Sequence, residues 1–83
     1  MELKDTVEMM NSADYKERFK AEYMQLKTRC EGLKVMLDKY IAGTLTFKPT
    51  CSILMLSEQL AHMKSYLISL DERARLEGID ITY

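Results

Sequence analysis

Gly43-Thr44-Leu45-Thr46-Phe47-Lys48-Pro49-Thr50-Cys51 is the one stretch of this chain with turn chemistry, and the sequence on both sides of it reads as helix. Gly43 suits the left-handed position that follows a helix end. Pro49 turns Lys48 away from helical geometry. Leu45 and Phe47 alternate with Thr44, Thr46 and Lys48, a pattern expected to fold two apolar residues back over the end of a hairpin.

Before the loop, Phe19, Tyr23, Leu26, Cys30, Leu33, Leu37 and Tyr40 follow one another at alternating steps of four and three residues. That is an unbroken heptad seam. Asn11 and Ser12 are both good N-caps, and Asp14 and Glu17 suit the positive end of the helix dipole. The spacing predicts a helix over about 12–42, some ~45 Å long at 1.5 Å per residue. Gly32 falls off the seam.

After the loop, Thr50 or Ser52 caps a second helix over about 52–77. Its seam is Ile53, Leu56, Leu60, Met63, Leu67, Leu70 and Ala74. A second apolar stripe runs beside it, Leu54, Ala61 and Ile68, widened by Met55 and Tyr66. Gly78 fits the C-terminal turn, and Ile79, Ile81 and Tyr83 alternate as a short extended tail would. A short connection makes the helices antiparallel neighbours. The expected fold is all-α: an antiparallel two-helix hairpin (12–42, loop 43–51, 52–77) forming one domain over 12–83. Residues 1–11 precede it as a flexible or short helical extension, with Leu3, Val7 and Met10 at helical spacing. One stripe suffices to pack a helix on its neighbour. Two imply burial on a second side, which a lone hairpin does not provide, so a helical-bundle homo-oligomer is expected.

Size points the same way. The chain has 83 residues, and one so short buries only about 60% of its unfolded surface. Small folds lean on disulfides, a metal or association. Cys30 and Cys51 would lie about 18 Å apart along such a hairpin, beyond the ~7 Å that a disulfide spans. Residues 1–11 lack the apolar core run of a secretory leader, so an intracellular, reducing setting with free thiols is expected. One His and two separated Cys do not make a four-ligand zinc site. Neither a metal nor a cofactor is expected.

The formal charge is −1, which argues against binding DNA or RNA polymers. No apolar run approaches the roughly 20 residues of a membrane span. Seven methionines suit an adaptable apolar surface, and equally an ordinary core. The chain has no Gly-rich phosphate loop, no nucleophile elbow and no His-Glu-x-x-His. His62 is the only histidine and reads as a surface or interface residue. No catalytic residue is expected, and the chain reads as a binding protein, not an enzyme.

Two regions carry ligand logic. Lys48, Thr50 and Ser52 bring a charge and hydroxyls to a helix N-terminus, an arrangement that suits phosphate, and Phe47 can stack on a base. The same residues also read as a capped turn with a solvated lysine. At the other end, an antiparallel hairpin brings Arg73 and Arg75 toward Arg18, Tyr15, Phe19 and Tyr23. Arginine with tyrosine suits a nucleotide, and it suits a salt-bridged hairpin end equally well. The candidate ligand-binding residues are Arg18, Lys48, Thr50, Ser52, Tyr66 and Arg73.

From Asp14 to Ile81 the chain resembles a family of small phage and prophage proteins first catalogued in crAss-like phages. The resemblance rests on Asp14-Tyr15-Lys16-Glu17-Arg18-Phe19 and on Ala42-Gly43-Thr44-Leu45 with Phe47 and Pro49-Thr50-Cys51-Ser52-Ile53. It continues through Gln59, Met63, Tyr66-Leu67, Leu70-Asp71-Glu72-Arg73-Ala74 and Glu77-Gly78-Ile79-Asp80. The Gly…Phe…Pro-Thr-Cys-Ser loop is its most specific part. The resemblance implies a phage origin and action in the cytoplasm of an infected bacterium. Small oligomeric helical phage proteins include anti-defence sponges that sequester cyclic nucleotide signals of bacterial immunity. By that analogy the expected ligand is a cyclic oligonucleotide or cyclic ADP-ribose type signal, held without cleavage. The alternative is a protein-protein interaction module that inhibits or adapts a host or phage protein.

Overall fold

In the computed structural model, which describes residues 3–81, the long helix is started by Asp14 and not by Asn11 or Ser12. Asp14 is extended (φ −80°, ψ 118°) and its carboxylate accepts from the Lys16 N–H at 2.9 Å. The Ser12 hydroxyl instead accepts from the Asp14 N–H at 3.0 Å, holding the cap in place. Both residue types cap well; the charged one takes the position nearer the dipole.

A 3-10 turn spans Leu3–Thr6, α1 spans Val7–Met10, α2 spans Tyr15–Ala42 and α3 spans Ile53–Glu77. The all-α expectation holds, and no strand occurs among the described residues. Gly43 ends α2 at φ 74° and Gly78 ends α3 at φ 69°, both in the left-handed region that only glycine enters without strain. The Ser52 hydroxyl caps α3 by accepting from the Met55 N–H at 3.1 Å.

Two side-chain pairs join the long helices. Tyr15 meets Arg73, and Glu22 meets Tyr66. Seven residues forward on α2 answer seven residues back on α3, so the helices run in opposite directions along this stretch. The core sits between them. Phe19, Leu70, Ala74 and Ile79 form its buried centre, with Tyr23, Leu26 and Ile81 packed around them. Every residue of the α2 seam is buried or half-buried. On α3, Leu56, Leu70 and Ala74 are buried, whereas Ile53 at the helix start stays exposed. Ile79 is only 8% exposed, so the tail after Gly78 closes one end of the core. Tyr83, the last residue of the expected tail pattern, lies outside the described residues.

Ala21 and Met24 are almost wholly buried although they lie off the seam. They share the opposite face of α2 with Gln25, at about 100° per residue. There the N-terminal turns fold back on the helix. Gln25 Nε2 donates to the Thr6 hydroxyl at 2.8 Å and also contacts the Met10 sulfur. The Thr6 hydroxyl in turn donates to the Leu3 carbonyl at 2.7 Å. α2 is therefore covered on two sides.

The connecting loop departs from expectation in one respect. Leu45 and Pro49 are half-buried, but Phe47 remains 57% exposed. Bends at Thr46-Phe47 and Thr50-Cys51 break the extended alternation that was to turn Leu45 and Phe47 to one side. Cys30 is buried, Cys51 is exposed and both thiols are free.

Candidate functional site

Arg73 is the hub of the best-built polar cluster. It projects from the last turns of α3 toward the first turns of α2. Its guanidinium lies over the Phe19 ring, 5.0 Å from the centroid. Its Nη2 donates to the Tyr15 hydroxyl at 2.6 Å, and its Nε faces the Glu77 carboxylate at 3.3 Å. Tyr15 and Phe19, one turn apart on α2, hold their rings 6.3 Å apart at 55°. Phe19 is buried, so the guanidinium has a fixed floor, while half of the Arg73 side chain stays open to solvent. A planar cation held against an aromatic ring with an open edge is suited to an incoming phosphate or to a base stacked beside it.

Two turns earlier on α3, the Tyr66 hydroxyl donates to the Glu22 carboxylate. That hydrogen bond holds the phenol above its ordinary range, with burial and the carboxylate's charge adding to the effect and Arg73 opposing it. Tyr66 presents its ring two turns along α3 from Arg73. It also ends a shallow depression of about 380 Å³ along α3, lined by Met55, Glu58, Gln59, His62, Met63 and Tyr66. Thioether and aromatic surface dominate that lining, with His62 and Gln59 as polar handles.

The other expected residues lie apart from this cluster. Arg18 is exposed near the start of α2, its guanidinium donating to the Ser12 carbonyl at 2.8 Å. It therefore braces the bend before α2 at the same end as Arg73. Ser52 is occupied as the α3 cap. Lys48 and Thr50 are exposed in the loop. Ser52 and Arg73 are separated by most of α3, roughly 32 Å at 1.5 Å per residue. Within one chain, then, Arg18 and Arg73 lie toward one end, Tyr66 lies near the middle of α3, and Lys48, Thr50 and Ser52 lie at the other end.

The sequence reading missed Glu22 and Glu77, the carboxylates that orient Tyr66 and Arg73. The Arg73–Glu77 spacing of four residues on one helix was available as a signal. Glu22 was not, because its partnership depends on the register between helices. Among the described residues, no three His, Cys, Asp or Glu side chains converge as a metal-ligand set. No helix among them is long and apolar enough to cross a membrane.

These features define a small all-helical protein with an arginine seated among aromatic rings near one end. Residues 13–76 match the family model described as Sequestin, and the chain belongs to the Sequestin family. The match covers α2, the loop and nearly all of α3, and leaves the N-terminal turns outside it. No curated protein and no solved structure matches the chain.

Proposed function

We propose that this chain is a phage-encoded anti-defence protein that binds and sequesters a nucleotide immune signal, of cyclic oligonucleotide or cyclic ADP-ribose type, without cleaving it. The antiparallel hairpin of α2 and α3 is the building block, and it works as a homo-oligomer in the cytoplasm of the infected bacterium. The observation that carries the reading is the Arg73 cluster: a guanidinium seated on Phe19, tethered to Tyr15 and Glu77, and half open to solvent. Membership of a family described as Sequestin supports sequestration as the mode of action.

Arg73 supplies the charge that a phosphate requires. Tyr66 and Tyr15 supply ring surface, and Arg18 adds a second cation at the same end. The proposal assigns these residues to holding the ligand, a role that needs neither a nucleophile nor a base. Metal and cofactor have no part in the proposal.

The test is a thermal-shift screen of the purified protein against cyclic di- and trinucleotides and cyclic ADP-ribose isomers. A ligand at 100 times its dissociation constant stabilises the protein by about 2.7 kcal/mol, which in so small a domain is a shift of several degrees. A shift with one signal supports the proposal, and a flat panel contradicts it.

A second reading has its own observation. Leu54, Met55 and Ile68 form an exposed apolar face on α3, as a protein-protein interaction module that inhibits or adapts a host or phage protein would. Stoichiometric capture of one defined partner, with no nucleotide bound, would favour it.

A further inference from the structure

α2 is covered on two sides, by α3 and by the N-terminal turns. α3 is covered on one. Leu54 and Ile68 are 69% and 63% exposed on its outer face, and Ala61 lies midway, seven residues from each. The stripe is therefore symmetric about its smallest member. A two-fold axis at Ala61 sets Leu54 of one copy on Ile68 of the other, twice, and Ala61 on itself. A methyl side chain at the crossing point lets the helix axes approach to about 8 Å, the close end of the usual range.

The flank of α3 between this stripe and the core carries Met55, His62, Tyr66 and Arg73, all within a narrow arc at about 100° per residue. A two-fold axis keeps like flanks facing each other. Glu58 then lies within about 3 Å along the axis of the second copy's His62, opposing an acid to a base. The approach leaves Glu58 some 9 Å along the axis from its own copy, and Lys64 likewise. The pairing is thus apolar along its centre and free of close like charges at its edge.

The same axis reunites the divided site. Arg73 lies twelve residues after Ala61, and twelve residues before Ala61 is Pro49, between Lys48 and Thr50. We infer that α3 packs antiparallel on α3 of a second copy about Ala61, and that each nucleotide site is shared: Arg73 and Tyr66 from one chain, Lys48 and Thr50 from the other. The depression along Met55, Glu58, His62 and Tyr66 becomes one wall of a groove between the two helices, leading to that site. The ligand class rests on the function proposed above, whereas the pairing rests on the α3 face alone.

The test needs no ligand. Light scattering on the eluting full-length protein should give twice the single-chain mass of 9.7 kDa. In a Cys51→Ser background, Ala61→Cys should form an inter-chain disulfide under mild oxidation, while Glu31→Cys on exposed α2 surface should not. A short bis-maleimide should join copies carrying Lys48→Cys to copies carrying Arg73→Cys. Leu54→Glu and Ile68→Lys should each return the single-chain mass with helix content unchanged, and the two together should restore the pair. A single-chain mass for the unaltered protein overturns the pairing. So does an oligomer in which Ala61→Cys fails to bridge. Bridging at Ala61 without the Lys48–Arg73 cross-link keeps the pairing and overturns the shared site. Failure of the nucleotide panel leaves all of these readouts intact, so the two proposals fail separately.

Discussion

Arg73 draws its role from the residues that fix it. Phe19 gives it a buried floor, and Tyr15 and Glu77 set the direction of its fork. Arg73→Ala is expected to weaken nucleotide binding roughly tenfold or more, through loss of charge-assisted hydrogen bonds, with little change in helix content; calorimetric titration measures it. Arg73→Lys should recover only part of that loss, because an ammonium has no planar fork to lie on the ring. Tyr66 offers a pH test. Its phenol titrates above the ordinary tyrosine range in the folded chain because its hydroxyl donates a hydrogen bond to the Glu22 carboxylate. The stability this adds is complete below about pH 10, the unfolded tyrosine value, and is lost as pH rises through the folded value. Wild type should therefore lose urea stability more steeply than Tyr66→Phe on going to strongly alkaline pH. Equal slopes would show that the Glu22 link contributes nothing. The sequence pointed to Arg73 through charge beside the aromatic residues at one end of a hairpin, and to Tyr66 through its place on the wide apolar face of the second helix. It was silent on Glu22, because a pair forty-four residues apart is set by helix register and not by local spacing.

At the scale of elements, the heptad seams were legible because a period of seven leaves a repeated mark in the order of residues. The caps were legible by type but not by position: Asn11, Ser12 and Asp14 all qualify, and only the folded backbone shows that Asp14 takes the place. Burial of Ala21 and Met24 was not legible. Both lie off the seam and are covered by turns whose own spacing, at Leu3, Val7 and Met10, permitted either order or fraying. Two substitutions test these assignments. Ser52→Ala removes the α3 cap and should cost about 1 kcal/mol in chemical denaturation. Leu70→Ala, at the buried centre of the core, should cost about 2–5 kcal/mol. A smaller loss at Leu70 than at Ser52 would mean that the core between α2 and α3 is not what holds the helices together.

For the whole molecule, the principal feature is asymmetry of cover. The chain spends its N-terminal turns on the back of α2 and leaves the back of α3 bare. The second stripe of α3 was visible in the sequence as more apolar surface than one hairpin can hide, and it stands exposed in the fold. The wide separation of Lys48 from Arg73 was implicit in their places on a hairpin. It means that one chain does not assemble all six candidate residues, and the proposed pairing of α3 faces is what brings Lys48 of one copy to Arg73 of the other. Mixing two disabled proteins tests that consequence. Arg73→Ala copies and Lys48→Ala copies should each bind nucleotide weakly, and an exchanged mixture should regain tight binding in part, because each mixed pair keeps one intact site. No recovery after exchange would place both residues in the same chain's site.

The most direct test of sequestration is a capture-and-release experiment. The purified protein is incubated with a stoichiometric amount of the nucleotide signal that shifts its melting, the free nucleotide is measured after filtration, and the retained complex is heat-denatured and analysed by mass spectrometry. The account predicts that free signal falls on incubation and returns with its original mass on denaturation. Signal that is never depleted from the filtrate, or that returns as a cleaved or ring-opened product, would contradict it.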